Sequence, residues 1–452
     1  MVPKVLVANR GEIAVRIIRT LKEKNMKSVA IYSVDDKDSL HVALADEAYC
    51  IGPASSSESY LNIERILSAA KISQADAIHP GYGFLAENET FVQRCEEEGF
   101  KFIGPSGKLI GLMGNKAKAR DTVGKNGLPI IPGSEGPIRD ANEGLIIAKE
   151  IGYPVVVKAV SGGGGKGMRL IESEKEFKRL FHEARKEAMS SFNDSRVYLE
   201  RFITDARHIE VQILGDGKGQ AVHLFERDCS IQNHNQKIIE EAPAVILDDS
   251  TRTYITELTA KVMANLHYES AGTVEYLYVE KEKAFYFMEM NTRIQVEHTI
   301  SEMITGIDIV EQQLEVAFNG RLTVNQSDIH MNGVAIEVRI NAENPRNNFM
   351  PSPGKVELLH LSQGHHVRID THLYHGFTIS PHYDAMIAKI ITYGHNRSAA
   401  ISKMRRVLSE TVIGPVETNL DFQAYIMDHP KYQANDLNIH FLKNNHIIEG
   451  GD

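Results

Sequence analysis

Between residues 272 and 297 the chain reads GTVEYLYVEKEKAFYFMEMNTRIQVE, two runs of β-favouring residues around a polar tip. Strands over 273–279 and 284–290, with a tip near Glu282, set Glu275 across from Glu289. Like charges opposed on neighbouring strands repel, so a fold built on this hairpin needs a cation between them. Alternation adds Asn291 and Arg293 to the Glu289 face and sends Tyr286, Met288 and Met290 to the other. Two carboxylates and an amide oxygen are hard ligands that suit Mg²⁺, which binds few protein carboxylates alongside phosphates. Past that set come Gln295 and Glu297, with Arg293 before them. An arginine beside a carboxylate can hold a small anion and supply its general base. A solvated face in a shifted register is the alternative.

Upstream, residues 4–9 (KVLVAN) read as a buried strand and residues 11–24 as a helix with an Ile13, Ala14, Ile17, Ile18 and Leu21 stripe. Ser28–Ser33 follows as a second strand, with short strands at Ala75–Ile78 and Phe102–Ile103 in the same sheet. Asp35 after the second strand suggests a dinucleotide site. The turn Asn9-Arg10-Gly11-Glu12 rejects it: one glycine stands where three are needed, and Glu12 would face a pyrophosphate.

The loop Ser161–Arg169 (SGGGGKGMR) is not a P-loop, because Val160 and Gly167 occupy the positions of a required Gly and Ser or Thr. Phosphate loops of both common kinds open a helix. Here the short apolar Met168–Ile171 follows, so the loop joins two strands, with N–H groups free for an anion and freedom to move as a lid. A plain surface hairpin is the alternative. Lys158 ends the strand entering this loop. Glu200, with backbone groups of Arg201 and Phe202, ends the strand Val197–Glu200, where an adenine edge could be read. Helices are expected over 141–150, 174–190 and 397–409, the last closing the chain.

A length of 452 residues suggests two to four units. The boundaries read as an N-terminal Rossmann-like domain at 1–112, a basic helical connector at 113–130, a lid at 131–203 and a C-terminal domain at 204–446. A net charge of −10 argues against a nucleic-acid binder held by phosphate neutralisation. Cys50, Cys95 and Cys229 are too few and too scattered for disulfides or zinc, and each reads as a small buried hydrophobe in a reducing compartment. With no long apolar run and no leader pattern before Val5, neither a membrane span nor export is expected, and the location reads as cytoplasmic.

Together these motifs resemble biotin carboxylase over nearly the whole chain. The resemblance is carried by Ala8-Asn9-Arg10-Gly11-Glu12-Ile13-Ala14, by His79-Pro80-Gly81-Tyr82-Gly83-Phe84-Leu85-Ala86-Glu87-Asn88, and by the loop Ser161–Arg169. Arg227-Asp228-Cys229-Ser230-Ile231-Gln232, Gln236-Lys237 through Pro243, and Met290-Asn291-Thr292-Arg293-Ile294-Gln295-Val296-Glu297-His298 continue it.

The resemblance implies an α/β ATP-grasp fold, α+β overall, with an N-terminal Rossmann-like domain, a small mobile lid and a C-terminal mixed-sheet domain. It implies that ATP phosphorylates bicarbonate to carboxyphosphate, whose carboxyl group passes to N1′ of biotin on a carrier protein. Carried over by position, Lys116, Lys158, Gly164, Gly165, Glu200, Arg201, Phe202, His208, Gln232 and Asn235 would hold ATP. Glu275, Glu289 and Asn291 would hold magnesium or manganese, in two ions. Lys237, Arg293, Gln295 and Val296 would bind bicarbonate, Glu297 would take its proton, and Arg339 with Tyr82 would meet biotin.

Some positions depart from the family. Asn233-His234-Asn235 replaces a basic run ending in histidine, and Thr299 stands where proline is common. The chain lacks a biotin attachment motif, since Met26-Lys27 has the wrong flanks, so a carrier and carboxyltransferase are expected on other chains, unless the sequence is a piece of a longer one. The resemblance further implies a homodimer and the first half-reaction of acetyl-CoA carboxylase in fatty acid synthesis, with a pyruvate or other acyl-CoA carboxylase as the alternative. Another ATP-grasp ligase and a regulatory ATP-binding module are the rivals.

Overall fold

A computed structural model of the chain describes residues 2–160, 168–234 and 236–448. Gly164, Gly165 and Asn235 lie outside the described residues. The chain divides into two compact units, one of Met1–Leu128, Arg207–Tyr276 and Glu289–Asp452, the other of Pro129–Ala206 and Leu277–Met288.

In the first unit the described residues form a five-stranded parallel sheet. Its spatial order is Glu47–Gly52, Lys27–Ser33, Lys4–Val7, Ala77–His79, Lys101–Phe102. Parallel neighbours need crossovers, and helices such as Gly11–Glu23 and Ile63–Ser73 supply them. Val5, Leu6 and Val7 on the central strand are fully buried, as a strand covered on both faces must be. The edge strand Glu47–Gly52 escapes the sequence reading because its residues are mostly half-exposed and lack an apolar run. Cys95 and Cys229 are buried as expected, but Cys50 on this edge is exposed, since an edge strand has one side without a neighbour.

The second sheet has eight strands among the described residues. They run Ala284–Asn291, Glu269–Val279, Arg207–Asp216, Ala221–Asn233, Gln236–Ala242, Val334–Asn341, Met386–Gly394, Val367–Thr371. The hairpin joining the first two turns at Glu280–Glu282, with Lys283 left-handed at φ 47°, close to the tip read from sequence. One hydrophobic cluster joins Val5, Ile13 and Ile17 to Leu214, Ile294 and Leu314, so the first segment and the late segments share a core. The chain does not close at the helix Arg397–Glu410. Helices Leu420–Asp428, Pro430–Gln433 and Phe441–Asn444 follow it. They are too short to show a periodic stripe, yet Tyr432, Phe441 and Leu442 are buried in the same cluster as Ile336 and Ile390.

The second unit has a three-stranded antiparallel sheet, Met168–Ile171, Val155–Ala159, Val197–Arg201, with helices Ala141–Ile151 and Glu174–Phe192. Its core is Val155, Val157, Phe177, Phe181 and Leu199. The two strands flanking the glycine loop pair antiparallel, as its sequence context required. No helix among the described residues is long and apolar enough to cross a membrane.

Candidate active site

On the strand Arg207–Asp216, His208, Glu210 and Gln212 alternate with Ile209, Val211 and Ile213, and all six are buried. Alternation sends one set to the apolar core and the other to a polar cluster, and buried carboxylates persist only when paired. Lys237 pairs three of them. Its Nζ lies 2.5 Å from Glu210 Oε2, 2.8 Å from Glu275 Oε1 and 2.7 Å from Glu297 Oε1. Arg227, fully buried, donates to Glu210 and Gln212 at 2.6 Å and to Gln295 at 2.7 Å. Gln295 and Asn291 in turn donate to Glu275 at 2.9 and 2.8 Å. Arg293 donates to Asn291 Oδ1 and to Glu87 Oε2, each at 2.9 Å.

Glu297 therefore stands between two cations, Lys237 on one oxygen and Arg339 on the other at 3.0 Å. Arg339 also donates to Glu240 at 2.6 Å. Lys389 donates to the Val296 carbonyl at 2.7 Å and fixes the backbone just before Glu297. Tyr82 donates to Glu12, which lies 3.4 Å from Lys389. Tyr82, Arg293, Val296 and Arg339 line one cavity of about 440 Å³.

Charge in this cluster follows its pairing. Burial raises the Glu297 carboxyl, but Lys237 and Arg339 more than offset it and hold it at about 2, ionised. Burial likewise opposes ionisation of Glu275 and Glu210, and Lys237 prevails over it at both. His208 would lose its proton through burial, yet Glu275 beside it pushes its pKa up to about 9. Glu240 and Glu337 go the other way. Burial lifts them to about 7 and about 8, despite Arg339 and Lys389 respectively.

The expected metal set is partly assembled here. Asn291 meets Glu275, while Glu289 extends to Lys116 at 3.1 Å with two-fifths of its side chain exposed. His208, Glu210 and Glu275 bring their ligand atoms within 4.8 Å of one another. Gln232 Nε2 lies 3.0 Å from His208 Nδ1. In the second unit Lys158 donates to Glu200 at 2.5 Å. The amides of Arg201 and Phe202 donate to the Pro132 and Pro154 carbonyls at 2.8 and 2.9 Å. Those two amide hydrogens are thus engaged, and Arg201 turns its side chain to Glu282 and Tyr286.

Sequence reading missed Glu210, Glu240, Glu337 and Lys389. The first had a visible signal, a polar residue at every second position of an otherwise apolar strand. The other three sit on runs such as QKIIEEA and AIEVRIN, where a charged residue reads equally well as a solvated face.

A family profile described as the biotin carboxylase N-terminal domain matches residues 1–110, and one for the biotin carboxylase C-terminal domain matches 337–444. Between them, 115–325 match the ATP-binding domain of the carbamoyl-phosphate synthase L chain. The chain is 49% identical over 443 residues to biotin carboxylase 1 of Bacillus subtilis, covering 98% of each. It is 46% identical to a pyruvate carboxylase subunit of Methanothermobacter thermautotrophicus, covering 98% of this chain and 90% of that one. Among solved structures, the biotin carboxylase domain dimer of Hydrogenobacter thermophilus 2-oxoglutarate carboxylase, in complex with MgADP, ADP and bicarbonate, superposes with a TM-score of 0.87. It is 45% identical, and all of both chains is covered.

Proposed function

The chain belongs to the biotin carboxylase family and is an ATP-dependent ligase, and from that premise we propose how its residues carry the reaction. Bicarbonate binds against Lys237, Arg293, Gln295 and the Val296 backbone. Glu297 removes its proton, because bicarbonate attacks phosphorus well only as a dianion. A carboxyl held at about 2 is a weak base, but a bound anion adds like charge and shares Lys237, and both effects raise it toward working pH. Phosphoryl transfer from ATP gives carboxyphosphate and ADP. The carboxyl group of carboxyphosphate then passes to N1′ of biotin as its bond to the phosphate oxygen breaks, and the departing phosphate takes the N1′ proton, while Arg339 stabilises charge on the ureido oxygen and Tyr82 flanks the ring. The observation that carries the reading is one carboxylate, Glu297, gripped by Lys237 and Arg339 beside a cavity that Tyr82 lines.

ATP is assigned to Lys116, Lys158, Glu200, Arg201, Phe202, His208 and Gln232, with Gly164, Gly165 and Asn235 from the segments outside the described residues. Glu275, Glu289 and Asn291 are the donors for Mg²⁺ or Mn²⁺. All three offer hard oxygens, and Glu289, held by one lysine, is free to turn. When bound, the metal neutralises the phosphates.

The finer reading is a cytoplasmic subunit, homodimeric, that serves acetyl-CoA carboxylase through a separate carrier and carboxyltransferase. Similarity to a pyruvate carboxylase subunit supports a keto-acid acceptor as the second reading. Reconstitution with carrier and transferase, offering acetyl-CoA or pyruvate, separates the two.

The test of the chemistry assays two steps apart, bicarbonate-stimulated ATP cleavage and biotin carboxylation. Glu297→Gln should lower both by at least about a hundredfold. Arg339→Ala should harm carboxylation more than ATP cleavage. Equal losses in Arg339→Ala, or an active Glu297→Gln, would sink these roles.

A further inference from the structure

The 440 Å³ cavity that Tyr82, Val296 and Arg339 line is also lined by Arg10, Phe84, His382, Tyr383, Asp384 and Met386, which no step above uses. Burial separates an inner from an outer part. Glu12, on the inner wall, is buried, whereas Gly83, His382 and Asp384 are exposed at the rim. The outer walls are held in place. Asp36 grips Arg10 through both oxygens at 2.6 and 2.8 Å, and the guanidinium lies 4.1 Å from the Tyr383 ring centre. Phe84 stacks on Tyr60 at 5.0 Å, and His382 Nδ1 sits 2.8 Å from Asp35. Arg10 and His382 thus already have anionic partners. Asp384 accepts the Met386 amide at 2.9 Å and makes no ion pair among the described residues.

We propose that this outer half seats the amide-linked aliphatic chain by which a carrier presents biotin, and that Asp384 selects the amide over a free carboxylate. The inference rests on the biotin reading of the inner wall. Phe84, Tyr383 and Met386 offer apolar surface to methylenes. At the rim, a carboxylate without a cation accepts an amide N–H and repels another carboxylate. Tethered biotin ends in the first group and free biotin in the second, so the rim distinguishes them by one hydrogen and one charge.

The experiment compares free biotin with its neutral methylamide as carboxyl acceptors at low ionic strength. The unaltered protein should favour the amide in kcat/KM by roughly fivefold, the upper range for a solvated charge contact. Asp384→Asn should reduce the preference to within about twofold, as should half-molar salt, which screens exposed charges. Met386→Trp, which fills the groove, should raise KM for both acceptors. Equal use of acid and amide by the unaltered protein, or a preference that survives Asp384→Asn, overturns the proposal. Carboxylation of either acceptor tells the two failures apart. If it is present without amide preference, only the groove falls; if it is absent from the unaltered protein, the reading of the inner site falls and takes the groove with it.

Discussion

Glu337 shows how a buried acid can cost stability where Glu297 does not. Glu297 has a cation on each oxygen. Glu337 is fully buried opposite another acid, Glu240, on the neighbouring strand. Its nearest hydrogen-bond donor is Thr299, the residue that replaces the family's usual proline. Burial carries its carboxyl from the ordinary 4.5 to about 8. Between those values the folded protein keeps a proton that the unfolded chain has released. Its contribution is therefore intact below the lower value and lost as pH rises through the upper one. Glu337→Gln removes the titration. Its stability relative to the unaltered protein should rise between pH 5 and 8, approaching about 1 kcal/mol per pH unit. Urea unfolding at several pH values checks this, and a constant difference across the range would refute it. Thr299 also shows that a departure visible in sequence can have a structural use that only its partner reveals.

At the scale of elements, turns and caps set where side chains arrive. The turn His79–Gly83 places Tyr82. Asn9 holds it by donating to the Pro80 and Tyr82 carbonyls at 2.7 Å, and the Gly81 amide donates to His79 at 3.1 Å. Gly81 has φ 61°, and a side chain there would come 2.9 Å from Asn9 Nδ2. Gly81→Ala should cost about 1–2 kcal/mol in thermal stability. It should lower biotin carboxylation more than bicarbonate-stimulated ATP cleavage, because the role proposed for Tyr82 belongs only to the former. In the second unit Asp140 caps the helix Ala141–Ile151, accepting from Asn142 and Glu143 at 2.8 and 3.0 Å. Asp140→Ala should destabilise by about 1 kcal/mol. Hydrogen exchange should locate the loss in 141–151, with the protection of Arg207–Asp216 unchanged.

For the molecule as a whole, the early βαβ segment is not self-sufficient. Ile13 and Ile17 are buried in a cluster with Leu214, Ile294 and Leu314. A fragment of residues 1–112 should therefore show no cooperative thermal transition by circular dichroism, whereas the full chain should. A sharp transition in the fragment would contradict the shared core. Local chemistry was sufficient to read much else. Residue periodicity gave the parallel opening strands and their helix, alternation gave the 273–290 hairpin, and the glycine loop's apolar sequel gave its strand–strand context. Motif order pointed to the family, which the comparisons then established. These are decided by neighbours along the chain, where propensity and spacing act. Three things were not decided there: that Lys237 bridges Glu210, Glu275 and Glu297, that Lys389 pins Val296, and that Cys50 is exposed while Glu210 is buried. A charge reads the same in sequence whether water or a distant strand neutralises it, and only folding supplies the partner that determines which.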